Sequence, residues 1–488
     1  METLMLSVRK SLPLWLITIS VFLLLFFPYL FANGMFMDGI LYAAVARNLA
    51  EMPDAFANLF NLSYTDTLLK EFYDQPPLAM WLQAVLFRVL GDSIYVERVY
   101  SFITALLCFI LIVLIWRIVY EKDETGREVA WLPAFFWSIV PLVFWSFSNN
   151  MLENTLAVFA LLAVYFALKG LSSGRYLYIY AGSSLSVFLA FLAKSFVGLF
   201  PLATIPIYWL VRRDMSFPDA LKVFVKFILC TVAIFALFFS FESSREFFVQ
   251  NLKAQIIPSM QGHFDTVTGK RFHLLRRLIK ELLPILVFSL IFWGCKSKMR
   301  LEVAGKCKRD WFWIFLLLAV SGSFPIMLSF KQKGYYLVPS LSFYALALAV
   351  LVQPIVYSVI HRLYESKSSY RYFKWFSIGF LVFSIIFSLS HLGTIRRDAD
   401  KLADSQLVAK AIHPGQLVSS NQSLAVDWNL IGYLARNHKI SVDWNNLTDF
   451  YLVEKGCPDI PAGYSVLDLP TVKYQLFKKH AGASGMGE

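Results

Sequence analysis

The sequence predicts an all-α polytopic membrane protein with about 11 transmembrane helices and a small C-terminal α/β domain. Of its 488 residues, 58% are hydrophobic and only 16% are charged, whereas about 25% of the residues of a soluble domain are charged. Apolar runs of about 20 residues, long enough to cross ~30 Å of hydrocarbon as a helix, recur along most of the chain. The five cysteines are scattered without a CxxC pair, so neither a disulfide framework nor a zinc site is predicted.

The apolar runs give the order of the membrane spans. The run Leu12–Phe31 lacks a small-residue cleavage site and is long enough to span, so we expect a retained helix instead of a signal peptide. The stretch 77–90 is too short to cross at about 1.5 Å per residue, and we expect it to lie at the outer membrane interface. The predicted spans are 11–31, 94–117, 131–147, 152–168, 177–193, 196–211, 222–241, 278–295, 311–329, 335–357 and 374–391.

Lysine and arginine are concentrated in alternate loops. The positive-inside rule assigns these loops to the cytoplasm, which accounts for the net charge of +12 without a nucleic-acid partner. The loops 32–93 and 242–277 and the tail then lie outside the cytoplasm. The basic positions are Arg9, Lys10, Arg117, Lys122, Arg127, Lys169, Arg175, Arg212, Arg213 and Lys222, and the segments CKSKMRLEVAGKCKRD and HRLYESKSSYRYFK.

The tail differs in character from the rest of the chain. Three short β-like runs, QLVSS, KISVDW and DFYLVEK, flank the helical segment LAVDWNLIGYLARN. This pattern is typical of a small α/β domain. We therefore predict a transmembrane domain, 1–392, and an extracytoplasmic C-terminal domain, 393–488.

Two aspartates of the first outer loop each precede a predicted helix. Asp38 stands before ILYAAVARNLAE, and Asp74 stands before QPP. Each could simply cap its helix. Asp38 could also act as a general base whose pKa is set by burial and by its neighbours. The two roles are compatible, because a cap fixes the position of the carboxylate.

Further ionisable residues fall at the predicted outer ends of helices, where they are costly unless they are paired or functional. Glu153 and Lys194 occupy tight turns, and Lys333 and Tyr335 belong to KQKGYYLVPS. Lysine and tyrosine are ordinary interfacial anchors. Alternatively, the cations neutralise a phosphate, a role that Lys270 and Arg271 of the second outer loop could share.

A metal site is not predicted. His263, Asp265 and His273 lie together in the second outer loop, but their spacing matches no recognised ligand pattern. The sequence therefore gives no reason to expect a metal or any other cofactor.

The order of motifs resembles the GT-C superfamily of membrane glycosyltransferases over roughly residues 10–360. The nearest relatives are the bacterial family 39-like enzymes, which include the aminoarabinose transferases that modify lipid A. The resemblance implies that a polyisoprenyl-phosphate-linked sugar is used on the outer face of a bacterial inner membrane. The motifs that carry it are MDGILYAAVARNLAE, FYDQPPLAMWLQAVLFRVLGD, VERVYSF, LAKSFVGLFPLA and KQKGYYLVPSLSFYALALA.

The resemblance also implies roles for single residues. Asp38 matches the catalytic aspartate of the first loop, and Asp74 matches the acid of an acid-x-P-P motif. Glu153 and Lys194 match an acidic and a basic position that line the cavity. The remaining matches are Lys270 or Arg271 as the phosphate-binding base, and Tyr335 or Tyr336 with Pro339 in a K…Y-x-x-P motif.

Two departures limit the resemblance. Gly39 stands where many members have Glu, and Gln75 stands where the aminoarabinose transferases have Lys. We therefore predict an inverting glycosyltransferase whose acceptor is a lipid, a glycan or a protein, and not specifically an aminoarabinose transferase. The alternatives are a transporter or flippase of a lipid-linked sugar, which would have broken helices or charges near the bilayer midplane, and a polysaccharide polymerase or ligase.

Overall fold

The structure is a computed structural model that describes residues 2–55, 57–258, 273–299, 307–328 and 332–480. It divides into two compact units. The first, here called the membrane unit, comprises Met1–Phe31, Asp74–Leu78 and Ser101–Leu392. The second, called the loop–tail unit, comprises Ala32–Tyr73, Ala79–Tyr100 and Gly393–Glu488. Most of the predicted first outer loop is thus grouped with the C-terminal residues, and the division into a transmembrane domain, 1–392, and an extracytoplasmic domain, 393–488, stays a prediction.

Helices dominate the described chain, as the predicted fold class requires. Two π-helical segments (Tyr178–Ser183 and Leu252–Ile256) and three 3₁₀ segments (Ser195–Ala203, Gly334–Leu337 and Gln422–Val426) adjoin them. The α-helices are α1 (Glu2–Phe31), α2 (Met37–Glu51), α3 (Leu78–Leu90), α4 (Val96–Val119), α5 (Glu124–Glu128), α6 (Leu132–Ser138), α7 (Pro141–Ser148), α8 (Leu152–Ser173), α9 (Ser184–Lys194), α10 (Thr204–Arg212), α11 (Phe217–Phe239), α12 (Glu242–Asn251), α13 (His273–Met299), α14 (Arg309–Leu328), α15 (Val338–Tyr364), α16 (Lys367–Leu389), α17 (Ala399–Ala411) and α18 (Trp428–His438).

Nine helical stretches within the described ranges are long and apolar enough to cross a membrane. A tenth is obtained if Glu124–Ser138 and Pro141–Ser148, which are bent by 71° relative to each other, form one span. The short helix α3 has 13 residues and is therefore only about 20 Å long. The helical membrane fold is confirmed, with nine or ten stretches where the sequence predicts about 11.

The lower count arises because Tyr178–Arg212 is one helical stretch of 35 residues, where the sequence predicts two spans. The chain nevertheless reverses within it. Ser195 has a positive φ of 56°, and a Cβ on Gly198 would lie 2.4 Å from the carbonyl oxygen of Ala190. Residues 190 and 198 would be about 12 Å apart along a straight helix. The stretch is therefore a hairpin that turns directly after Lys194, and only glycine allows its arms to approach this closely.

The core of the membrane unit forms around α15, a helix that is largely buried. The largest fully buried side chains of this core include Trp116, Trp137, Phe136 and Phe315. Helices in lipid gain little from hydrophobic burial, so close packing of such side chains stabilises their association. Gly126 shows how close the packing is, because a Cβ there would lie 1.8 Å from the ring of Tyr120.

The loop–tail unit contains a five-stranded sheet in the order β2-β1-β3-β5-β4. Strands β2, β1 and β3 are parallel, and β3, β5 and β4 are antiparallel. The three runs predicted as strands form β1, β2 and β3, whereas β4 and β5 were not predicted. The strands are β1 (Leu417–Ser420), β2 (Ser441–Asp443), β3 (Phe450–Glu454), β4 (Tyr464–Val466) and β5 (Tyr474–Lys479).

The start of the first outer loop is built into the same unit. The N–H of Asn33 donates to the carbonyl of Thr394 at 2.7 Å, and the N–H of Arg396 donates back to Asn33 at 3.1 Å. Helix α2 then packs on α18, where a Cβ on Gly432 would lie 3.0 Å from Ile40. Position 432 must therefore stay small for the helix that carries Asp38 to dock on α18.

Candidate functional site

Asp38 lies in the first turn of α2, a helix whose N-cap residue is Phe36. Phe36 has an extended backbone and makes no side-chain capping hydrogen bond. The alternative that Asp38 is the N-cap is therefore wrong, because it lies two residues further on. A carboxylate in the first turn is still stabilised by the helix dipole. Asp38 is half-buried, which suits a carboxylate that must reach a substrate.

A buried charge network fixes α2 against α18. The Arg47 guanidinium donates to the carbonyls of Arg436 at 2.9 Å and Ala435 at 3.1 Å. Arg436 in turn pairs with Asp92 at 2.7 Å and with Glu97 at 2.9 Å. Both arginine side chains are at most 4% exposed. Buried charges are tolerated when they are paired and hydrogen-bonded, so this network, named here the arginine clamp, holds the Asp38 helix in one place.

The pKa values of the two arginines of the clamp are shifted in opposite directions. Burial lowers the pKa of Arg47, and the more distant Asp92 only partly opposes this. Burial alone would also lower the pKa of Arg436, but Glu97 and Asp92 outweigh it and raise that pKa. Arg436 is consequently the charge that its surroundings stabilise most directly.

The other end of α2 is held by a further basic side chain. Arg88 donates to the carbonyls of Ala50 at 3.0 Å and Met52 at 2.6 Å, where α2 ends. Asn48 donates to the carbonyls of Ser63 at 3.0 Å and Tyr64 at 2.8 Å. The following loop is thereby attached to the same helix, and α2 is fixed along its length.

Asp74 belongs to the membrane unit and is half-buried. Helix α3 begins only at Leu78, after both prolines. Asp74 therefore lies four residues before the first helical residue, and Pro77 directly precedes the helix. The alternative that Asp74 only caps this helix is therefore wrong, and the carboxylate is carried by a bend in the chain.

Glu153 and Lys194 form the central ion pair of the membrane unit. Lys194 Nζ lies 3.0 Å from Glu153 Oε1, and the two side chains are 11% and 1% exposed. Glu153 is in the first turn of α8, and Lys194 is the last residue of α9. Each charge therefore has the sign that its helix end favours. An ammonium group has three donors, so the slightly exposed Lys194 can hold Glu153 and still bind a phosphate oxygen.

Two tyrosines extend this ion pair. Lys194 Nζ lies 5.4 Å from the centre of the Tyr336 ring, close enough for a cation–π interaction. Tyr336 meets Tyr335 edge-on at 5.0 Å, and Tyr335 stacks on Trp145 at 6.1 Å. Of the two tyrosines left open by the sequence, Tyr336 contacts Lys194. Tyr335 lies one ring further away.

Lys333 immediately precedes the 3₁₀ segment that carries the two tyrosines. Its side chain is half-buried. It forms no ion pair with any residue that the structure describes. Lys333 is thus a cation near the tyrosines whose role in phosphate binding stays a prediction.

Arg277 and Glu281 were not predicted, although an acid four residues after a base on one helix is a recognisable pair. Arg277 Nε lies 2.7 Å from Glu281 Oε1, and Arg277 is 45% exposed. Glu281 Oε2 accepts from the N–H of Leu142 at 2.7 Å. A Cβ on Gly334 would lie 3.7 Å from Arg277. Arg277 is therefore a second accessible cation beside the segment that carries the tyrosines.

Some predicted residues cannot be placed. Lys270, Arg271, His263 and Asp265 lie outside the described residues. Among the residues that are described, no group of three or more His, Cys, Asp or Glu side chains could hold a metal ion. The phosphate-binding role of Lys270 or Arg271 stays a prediction.

Loop ends that the sequence assigns to one side of the membrane do meet in the structure. Lys308 donates to the carbonyl of Val119 at 2.9 Å and lies 3.6 Å from Asp123. Arg212 lies 3.4 Å from Asp310. All these residues come from predicted cytoplasmic loops, whereas Glu153, Lys194 and the tyrosines come from predicted outer ends. These contacts join loops that the sequence predicts to lie on the same side of the membrane.

Comparison with known proteins identifies the fold. The model of the family described as dolichyl-phosphate-mannose-protein mannosyltransferase matches residues 74–241, a region that includes Asp74, Glu153 and Lys194. The crystal structure of ArnT from Cupriavidus metallidurans in the apo state has 15% sequence identity and a TM-score of 0.61, covering 97% of this chain and 98% of that one.

The crystal structure of the same ArnT bound to undecaprenyl phosphate has 16% identity and a TM-score of 0.61, covering 100% of this chain and 99% of that chain. No curated protein sequence matches this chain significantly. The structural matches extend over almost the whole of both chains. The resemblance to the GT-C superfamily is confirmed, and the fold is that of a polytopic membrane protein of this type.

Proposed function

We propose that this chain, which has the GT-C fold of membrane glycosyltransferases, transfers a sugar from a polyisoprenyl-phosphate donor to an acceptor outside the cytoplasm. The observation that carries the proposal is the buried Glu153–Lys194 pair against Tyr336. Glu153 and Lys194 both fall in the region matched by the mannosyltransferase family model. A fold match over 97% or more of the chain adds support.

The donor phosphate needs cationic side chains that are not fully solvated by water. ArnT has been crystallised with undecaprenyl phosphate, which makes a lipid-linked phosphate the reasonable donor here. Lys194 has donors left after binding Glu153, and Arg277 is half-exposed nearby in the membrane unit. Charge-assisted hydrogen bonds to such a phosphate contribute on the order of 1.5–3 kcal/mol each. Lys333 and the pair Lys270 and Arg271 are the further candidates that would replace the charge missing at Gln75.

The proposed reaction is a single displacement at the anomeric carbon. The acceptor oxygen attacks from the face opposite the phosphate, the bond from the anomeric carbon to the phosphate oxygen breaks, and the configuration inverts. The lipid phosphate leaves with the bonding electron pair, so the cations near it should stabilise the transition state most. A hydroxyl acceptor passes its proton to Asp38, whereas an already ionised phosphate acceptor needs Asp38 only for orientation. Asp74 is assigned to the same catalytic machinery.

We further propose a bacterial inner-membrane location with the active site and the C-terminal residues on the periplasmic face. The proposal rests on the lysine and arginine asymmetry of the loops. Its support in the structure is the separate clustering of predicted cytoplasmic residues, for example Lys308 with Asp123. The acceptor is a lipid, a glycan or a protein.

The transporter alternative draws attention to the bend between α6 and α7. Broken helices in transporters leave helix ends free to bind substrate. Here the N–H of Leu142 at the start of α7 is already bonded to Glu281, and Glu281 is paired with Arg277. The break is thus satisfied from within the protein, and it gives no specific support for transport.

Transfer by the purified full-length protein in detergent tests the proposal. Radiolabelled sugar on a polyisoprenyl phosphate should appear in an acceptor extract from the native membrane, with release of the lipid phosphate. Transport requires a sealed compartment, so a flippase would give no product in detergent. Movement of the donor across sealed vesicles, without any transfer in detergent, would overturn the proposed function.

A further inference from the structure

The membrane unit contains a cavity of about 810 Å³. In the predicted topology this cavity lies at the cytoplasmic ends of the helices, whereas Lys194 lies at an outer end. Its walls come from the start of α1, the end of α5, the end of α15 and the start of α16. The sequence assigns all four of these helix ends to the cytoplasmic side. The cavity is therefore separate from the proposed sugar-transfer site, and nothing in the reaction described above uses it.

One face of α16 supplies positive charge to this cavity. Lys367, Arg371 and Lys374 line it, and their spacing of four and three residues places them on the same side of a helix. None of the three forms an ion pair with any part of the chain that the structure describes. Three cations in one cavity wall, none of them in an ion pair with the described residues, create a favourable site for an anion.

The acids at the cavity do not cancel this charge. Glu128 and Glu365 are the two carboxylates in its wall. Glu365 is already paired with Arg362, a residue outside the wall. His361 also lines the cavity.

A second, apolar cavity of about 410 Å³ adjoins the first. The two share Leu14, Ile360 and Tyr364 in their walls, so they are contiguous. The apolar cavity is otherwise lined mainly by aromatic and aliphatic side chains, such as Phe135, Phe288, Phe292, Leu363 and Phe373. A cavity lined by charged side chains is thus joined to an apolar one.

We propose that the two cavities together bind an anionic phospholipid of the cytoplasmic leaflet. The phosphate headgroup would contact Arg371 and its neighbours, and one acyl chain would occupy the apolar cavity. Basic pockets between transmembrane helices on the cytoplasmic side are suited to anionic headgroups. Tyr370 and Trp375, which also line the charged cavity, are side chains that favour the depth of lipid headgroups.

The combination of compartments selects this ligand over simpler ones. A free phosphate would use the cations but would leave the apolar cavity without a function. A zwitterionic lipid would fill the apolar cavity, but its own positive group would oppose Lys367 and Lys374. Only an anionic lipid matches both the charge and the apolar surface.

Native mass spectrometry of the full-length protein in detergent tests the inference. Wild-type protein should retain phosphatidylglycerol in preference to phosphatidylcholine with the same acyl chains. The double variant Arg371→Gln and Lys374→Gln should bind phosphatidylglycerol at least about tenfold more weakly, because each basic residue near an anionic lipid contributes appreciably. The matched control is Lys122→Gln, an exposed cation in another predicted cytoplasmic loop that does not line either cavity. It should bind as wild type does.

A second variant tests the apolar half without changing charge. Ser369 lines the apolar cavity, and Ser369→Phe should weaken retention of the long-chain lipid while the three cations remain. Unchanged phosphatidylglycerol binding by the double variant would overturn the inference. So would displacement of the lipid by inorganic phosphate, or equal binding of phosphatidylcholine. Because the readout is lipid retention, failure here is distinguishable from failure of the proposed sugar transfer.

Discussion

Lys194 Nζ lies 3.0 Å from Glu153 Oε1 and joins the last residue of α9 to the first turn of α8. The pair has a structural role and a proposed substrate-binding role, and these can be separated. Removal of the lysine alone leaves a carboxylate that is 1% exposed without its cation. Removal of both charges leaves no such unpaired carboxylate.

The first prediction uses this difference. Lys194→Met should destabilise the protein by about 3–5 kcal/mol, because one partner of a buried pair is left uncompensated. Adding Glu153→Gln should recover much of that stability but not the use of the donor, since the ammonium is still missing. Thermal unfolding in detergent and the KM for the lipid donor are the measurements.

The control for this experiment is Lys222→Met, which breaks an exposed pair with Asp219. Exposed pairs contribute little to stability, so this variant should behave as wild type. Normal donor KM in the double variant would show that Lys194 does not bind the phosphate.

Asp38→Asn tests the proposed general base. The amide keeps the size of the side chain at the start of α2 but cannot accept a proton. With a hydroxyl acceptor, kcat should fall by about 10²–10⁴-fold, while the folded protein elutes and unfolds as wild type does. Asp54→Asn, an exposed acid of the same outer loop, is the control and should keep full activity. Near wild-type turnover by Asp38→Asn would remove this residue from the catalytic role.

The arginine clamp predicts that a residue near the C-terminus controls activity. Arg436→Met leaves the acids Asp92 and Glu97 without their main partner, and the expected destabilisation is about 3–5 kcal/mol. The backbone carbonyls that accept from Arg47 remain in this variant, but the destabilised end of α18 that carries them should support α2 less firmly, so α2 should become accessible to limited proteolysis and kcat should fall. Lys410→Met removes an exposed cation from the same unit and should have neither effect. An Arg436→Met protein that is as stable and as active as the wild type would contradict the positioning role of the clamp.

His438 predicts how stability depends on pH. It is the last residue of α18, and its Nε2 has no hydrogen-bond partner among the described residues. Burial lowers its pKa below the usual value of 6.5. The folded state therefore disfavours the charged ring, so stability is full above about pH 6.5 and decreases as the pH falls toward the lower pKa of the folded state.

Replacing the ring tests this. His438→Gln stays neutral at every pH, so its unfolding temperature should change less than that of the wild type between about pH 7 and pH 5. Thermal unfolding measured in detergent across this range is the assay. Identical pH profiles for the two proteins would show that His438 does not contribute.

Cysteine labelling tests the orientation of the membrane unit. In a cysteine-free background, Lys298→Cys should be protected from an impermeant thiol reagent in intact cells, and Lys410→Cys should react. Both positions are exposed, so the difference reports on sidedness and not on burial. Reaction of Lys298→Cys from outside would reverse the threading.

The sequence predicts the helices well and the tertiary assembly only in part. Apolar runs identify membrane helices because lipid requires internal backbone hydrogen bonding. The exact first residue of a helix is harder to predict, and for this reason Asp38 and Asp74 were both wrongly considered as caps. The two missed strands, β4 and β5, are short or partly exposed, and they have only weak alternation for a pattern to detect.

The candidate site shows the same division. Glu153 and Lys194 could be selected because ionisable residues within membrane segments are rare, and the structure brings them together. Arg277 was missed because it lies among several basic residues at the start of α13, although its spacing from Glu281 is that of a helical ion pair. The arginine clamp could not be predicted at all, since Arg47 and Arg436 are too far apart in sequence for any periodicity to relate them.

That separation has a consequence for how the protein is made. Arg47 and its partner carbonyl on Arg436 are 389 residues apart, and the ribosome adds about 5–20 residues per second. Roughly 20–80 seconds therefore pass between synthesis of the Asp38 helix and arrival of the surface on which it docks. During this interval α2 emerges without the surface on which it docks, so under the proposed function a nascent or prematurely terminated chain would insert into the membrane without transferring sugar. The proposed sugar transfer is therefore expected only when translation is almost complete.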